Sequence, residues 1–120
     1  VNTPEMIRVW TARPPAWLEQ HPLNSPPDSS LNFLDRGERE AIALALELGA
    51  DRLIADETLA REEAKRRNVS VIGTLGVLRN AARANLLMLP DALSKLQQTN
   101  FYVAPDLIQS LLEEDTKWHK

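Results

Sequence analysis

The sequence predicts an α/β fold built on a parallel βαβ unit, and two observations carry that prediction. A helix-period apolar stripe runs through Ala41, Ile42, Ala45 and Leu48 in LDRGEREAIALALELGA. Two short apolar runs, Leu53-Ile54-Ala55 and Val69-Ser70-Val71-Ile72, bracket a second helical segment. Strands joined through a helix pair in parallel, because the chain must cross back to the starting edge before the second strand begins.

The chain begins with a proline-rich arm. Six of the eight prolines lie before residue 31, so residues 1–30 are expected to be a loop-rich arm and residues 31–120 the α/β core. Within the arm, Pro4 to Trp10 reads as a brief amphipathic helix, with Met6, Ile7, Val9 and Trp10 as its apolar side. Trp17-Leu18 reads as a short edge strand.

In the core, the first helix closes at Gly49-Ala50-Asp51 and Leu53 to Ala55 forms a short buried strand ending at Asp56. A helix over Thr58 to Arg67 follows, stopped by Asn68 in a left-handed conformation. After the second strand, Gly73-Thr74 leads into another helix. Beyond Ala84 the chain finishes in helices: one over Asp91 to Gln98 after Pro90, an extended piece at Phe101-Tyr102-Val103, and one over Asp106 to Glu114 opened by Pro105. Leu107, Ile108, Leu111 and Leu112 form a stripe suited to covering the sheet or meeting a partner.

Composition removes several function classes. A chain of 120 residues with 43% apolar content supports one small domain. With no cysteine, disulfides, thiolate metal sites and a cysteine nucleophile are excluded. No apolar run reaches the roughly 18 residues of a membrane helix and no signal-peptide pattern opens the sequence, so a cytoplasmic location without membrane partners is expected. His21 and His119 lack metal-ligand spacing and are assigned to solvent. There is no Ser-His-Asp arrangement and no glycine-rich phosphate loop. The net charge of −3 gives no overall basic footprint for nucleic acid, leaving local charge such as Arg79 and Arg83, four apart on one helix face, to meet a polyanion. Their alternative is a solvated face.

Carboxylates remain. Glu38 lies at helical spacing from Ala41, Ile42 and Ala45, and a carboxylate on a buried stripe is costly unless it is hydrogen-bonded, paired or bound to metal. Arg36, Arg39 or Arg52 would supply a structural ion pair. Asp56 sits at the carboxyl end of a strand, where open α/β sheets bind ligands, although it would also serve as N-cap of the helix that follows. Together, Glu38 and Asp56 are placed to converge on one hard cation, and oxygen donors of this kind suit Mg²⁺ or Mn²⁺. Thr74 is placed to hydrogen-bond a phosphate or a water on that cation, or to cap its own helix.

The run from Leu34 to Leu78 resembles the PIN-like superfamily, specifically its small prokaryotic branch related to the toxin nucleases of toxin–antitoxin pairs. The resemblance is carried by L-D-x-G-E-x-E-A-I-A-L-A from Leu34 to Ala45, by the strand ending in Asp56, and by G-T-L-G-V-L from Gly73 to Leu78; it covers residues 31–115. It implies a three-layer sandwich with a parallel sheet flanked by helices, and cleavage of RNA by water activated on Mg²⁺ or Mn²⁺. It makes Glu38 and Asp56 catalytic and metal-site carboxylates, with Asp35 and Glu57 as neighbouring ligands; the residues' own placement adds Thr74, Arg79 and Arg83 against the substrate. Its implied partners are RNA and an antitoxin protein.

One departure from that pattern bears on activity. Members of the family open with an apolar strand carrying an Asp near its end, and no such strand is legible in the arm, so the fold is expected to be N-terminally truncated. Unpaired strand edges would then favour self-association into a homo-oligomer. The competing expectation is a non-catalytic interaction module that binds a partner or itself, with Glu38 in an ion pair and Asp56 as a cap.

Overall fold

The computed structural model describes residues 5–120. In chain order it contains α1 (Glu5–Ala12), a 3-10 turn (Ser29–Leu31), α2 (Arg36–Leu48), β1 (Leu53–Ile54), α3 (Thr58–Arg66), β2 (Val71–Ile72), α4 (Thr74–Arg83), α5 (Leu89–Gln97) and α6 (Pro105–Trp118). The fold is α/β. β1 and β2 pair in parallel, Leu53 opposite Val71 and Ile54 opposite Ile72, with α3 as the crossover.

Local chemistry explains where these elements start and stop. α2 begins with a capping box: the Asp35 side chain accepts from the Glu38 N–H at 2.8 Å, and Glu38 Oε1 accepts from the Asp35 N–H at 3.2 Å. These two bonds satisfy donors that a helix start otherwise leaves open. Gly49, at φ 59°, ends the helix in the left-handed conformation that glycine adopts at little cost. Asn68 does the same after α3, at φ 63°. Pro90 and Pro105 sit in the first turns of α5 and α6, where no backbone donor is lost.

Two apolar clusters hold the molecule together. Leu31, Leu34, Ile42, Ala45, Ala60, Ala64 and Val69 pack where α2, α3 and the sheet meet. Ala82, Leu89, Leu93 and Leu111 join α4, α5 and α6, supported by Ile108 and Leu112. Each large aliphatic side chain fully buried in this way contributes about 1.5–3 kcal/mol. Leu107, the fourth member of the expected stripe, faces outward and is 45% exposed.

Two sequence expectations need correction. Trp17-Leu18 is not a strand: Leu18 N–H bonds back to the Pro15 carbonyl in a turn, and the Trp17 ring meets Trp10 edge to face at 5.6 Å. The short helix expected in the arm is present over Glu5–Ala12, with none of its residues buried; Pro4 lies outside the described residues. β1 is not fully buried, because a sheet of two strands leaves Ile54 without cover, 62% exposed.

Candidate functional site

Asp56 leaves the end of β1 with its side chain directed toward α4. Its Oδ1 accepts from the backbone N–H of Thr74 at 2.8 Å and its Oδ2 accepts from the Thr74 hydroxyl at 2.6 Å. The reading of Asp56 as cap of its own helix is therefore corrected: the N-cap position of α3 is Glu57, whose side chain makes no capping bond. Asp56 instead anchors the start of the next helix, where exposed backbone donors and the helix dipole favour a negative charge. Thr74 in turn is the first residue of α4, with Gly73 at the cap position.

Gly73 is required by this arrangement. A Cβ at that position would lie 2.9 Å from Asp56 Oδ1 and 2.9 Å from Arg61 Nη1, closer than van der Waals contact permits. The missing side chain lets the carboxylate and the guanidinium approach the same stretch of backbone. Arg61 Nη1 donates to the Ala55 carbonyl at 2.9 Å, which also satisfies the backbone at the end of β1.

The structure brings Glu38, Asp56 and Glu57 to one cavity of about 430 Å³, beside Ile54, Ala41 and Phe101. Asp35 and Glu57 face a neighbouring depression that also includes Glu38. Among the described residues Glu38 has no arginine partner: Arg36 pairs with Glu40 at 2.9 Å, and Arg39 Nη1 donates to the Leu34 carbonyl at 2.7 Å. The ion pair expected for Glu38 is replaced by the capping box, a signal legible as D-x-x-E from Asp35 to Glu38.

As oxygen donors at one cavity, the carboxylates of Glu38 and Asp56 are of the kind that suits a hard divalent cation retaining several waters. Among the described residues, no group of three acidic or histidine side chains converges closely enough to hold a metal ion. A cation here would therefore rest on Glu38 and Asp56 with water completing its shell.

Arg79 and Arg83 part company despite sharing α4. Arg83 is tied to α6, with Nη2 3.9 Å from Glu114 and its guanidinium 4.6 Å from the centroid of the Trp118 ring. Arg79 lines a second cavity, of about 440 Å³, together with Asp56, Arg61 and Gly73. Neither arginine is on a freely solvated face. Sequence reasoning passed over Arg61 and Glu63. Glu63 is 5% exposed and binds Arg66 and Arg67, and the i, i+3 and i, i+4 spacing to two arginines is a signal that would have revealed it.

Among the described residues, no helix is long and apolar enough to cross a membrane. A family profile described as PIN domain matches residues 2–117, a span that takes in the arm as well as the core. No curated protein and no solved structure matches the chain. The match over nearly the whole length, on an α/β core with an acid at the end of its first strand, places this chain in the PIN-domain family, whose members are in general divalent-metal-dependent nucleases.

Proposed function

We propose that the chain is a metal-dependent ribonuclease of the toxin–antitoxin type, working in the cytoplasm on RNA with Mg²⁺ or Mn²⁺. The observation that carries this reading is the meeting of Glu38 and Asp56 at one cavity beside the carboxyl end of β1 in a PIN-domain chain. When bound, the cation supplies activation of the attacking water and neutralises charge developing on the attacked phosphate. Glu38 and Asp56 bind and orient it, each held in place by a hydrogen bond to a helix start. Glu57 adds negative potential at the cavity, and the exposed Ile54 beside it offers apolar surface to a base.

The test is cleavage of a fluorescent RNA with Mn²⁺ or Mg²⁺ against an EDTA control, run beside Glu38→Gln and Asp56→Asn. Gln also serves at the third position of a capping box, so Glu38→Gln removes a charge while the helix start is kept. Metal-dependent cleavage lost in both variants supports the reading, and a folded, fully active Glu38→Gln protein overturns it.

A second reading, a non-catalytic module that binds an antitoxin or its own copy, is favoured by one observation: both acids already have structural partners, Glu38 in the capping box and Asp56 on Thr74. Sedimentation of the protein alone distinguishes self-association from a monomer, and absence of cleavage with every metal moves the balance to this reading.

A further inference from the structure

We propose that Arg61 and Arg79 form a binding site for a phosphodiester of single-stranded RNA, in a cavity that shares Asp56 with the acidic one; the identity of the ligand rests on the ribonuclease reading. The two arginines come from different helices, α3 and α4, yet line the same cavity of about 440 Å³. Both are half-buried. Arg36, Arg66, Arg67 and Arg83 each have a carboxylate partner, whereas no carboxylate among the described residues lies in ion-pair contact with Arg61 or Arg79.

Arg79 carries the sharper signal. Its Nε is buried and has no hydrogen-bond partner. A guanidinium is charged at any accessible pH, and leaving one of its buried donors unpaired costs free energy that an incoming acceptor returns. Arg61 is already oriented, since Nη1 is held on the Ala55 carbonyl, and its remaining donors are available to a ligand. Two planar guanidinium forks suit the oxygens of a phosphodiester.

Among the described residues, Asp56 is the one carboxylate lining this cavity, and its two oxygens accept from the Thr74 N–H and hydroxyl. Both Thr74 donors are thereby occupied, and the two arginines are the cations in this cavity that can bind the anion. Because Asp56 lines both cavities, an RNA strand running past Asp56 can present one phosphodiester to the Glu38 side and another to Arg61 and Arg79. A chain with a net charge of −3 can in this way hold a polyanion through a local pair of cations.

Binding in EDTA separates this site from cleavage. Anisotropy of a fluorescent five-residue oligouridylate is followed across a salt series for the wild type, Arg79→Gln and Arg79→Lys, with melting temperatures recorded beside it. Arg79→Gln is expected to weaken binding about 5- to 10-fold and to flatten the slope of log affinity against log salt by about 0.7, the value of one lost contact to a single strand; Arg79→Lys restores the slope.

In parallel, the Nε–Hε resonances of wild-type Arg61 and Arg79 are expected to move on adding oligouridylate while that of Arg36 stays. This arm decides the matter if Arg79→Gln fails to fold. Unmoved resonances, or unchanged affinity and slope in folded Arg79→Gln, overturn the proposal. Resonances that move with inorganic phosphate and not with oligouridylate overturn its RNA assignment. Retained binding without cleavage at any metal concentration sinks the nuclease reading and leaves the anion site standing.

Discussion

Asp56 and Thr74, 18 residues apart in the chain, are joined by two hydrogen bonds from one carboxylate to one residue's N–H and hydroxyl. The bond pair links the end of β1 to the start of α4 across β2, so the acid at the candidate site is also a structural clasp. Removing either partner should be felt in stability. Thr74→Val, which keeps the backbone bond and loses the hydroxyl, is expected to cost about 1 kcal/mol, and Asp56→Ala about 2 kcal/mol. Urea unfolding of the two single variants and the double variant gives the coupling; additive losses would show that the residues do not act as a pair.

Gly73→Ala tests the same clasp from the backbone side. The added methyl would meet Asp56 and Arg61 together, and both are tied, the carboxylate to Thr74 and the guanidinium to the Ala55 carbonyl. A loss of about 1–2 kcal/mol is expected. Wild-type melting for this variant would mean that the carboxylate moves aside without cost.

The capping box predicts a split between stability and chemistry. Asp35→Ala should destabilise by about 1 kcal/mol, whereas Glu38→Gln should melt within a degree or two of the wild type. If the proposed site is correct, Mn²⁺ raises the melting temperature of the wild type through preferential binding to the folded state, and it raises that of Glu38→Gln much less. Equal shifts in both proteins would place the metal elsewhere.

Among the described residues Glu63 is the buried acid, held by Arg66 and by Arg67, whose Nη2 also donates to the Ser30 hydroxyl. The network ties α3 to the turn that delivers Leu31 into the core. Glu63→Ala leaves both arginines unpaired. The cost is expected at about 2 kcal/mol, below that of a fully buried pair because the Arg66 side chain is 71% exposed. Denaturant midpoints of Glu63→Ala and Ser30→Ala give the measurement.

Acid sensitivity has a defined contributor at the same turn. Hydrogen bonds to the Asp28 carboxylate from the Ser30 side chain, and then from its backbone, hold the Asp28 carboxyl below its ordinary value. A depressed carboxyl stabilises the fold above the ordinary carboxylate range, and that stabilisation is lost as pH falls through the lowered value. Carboxyl carbon shifts of Asp28 should therefore titrate below those of a peptide aspartate, and Asp28→Asn should flatten this part of the acid dependence.

Much of the fold was open to sequence reasoning because it is written in local terms. The apolar stripe of α2, the left-handed stop at Asn68, the prolines opening the last two helices and the parallel pairing around α3 all follow from spacing and backbone preference. The PIN-domain family was legible in another way, as a resemblance carried in part by the contiguous run from Leu34 to Ala45. Only the tertiary structure decided what the charged residues touch. Asp56 passed over its own helix for Thr74, Arg83 went to Glu114 and Trp118 while Arg79 turned into a cavity, and Ile54 stayed exposed at the edge of a two-stranded sheet. Periodicity places a residue on a face of its own helix or strand. Partners on other elements depend on how those elements pack, which one-dimensional spacing does not encode.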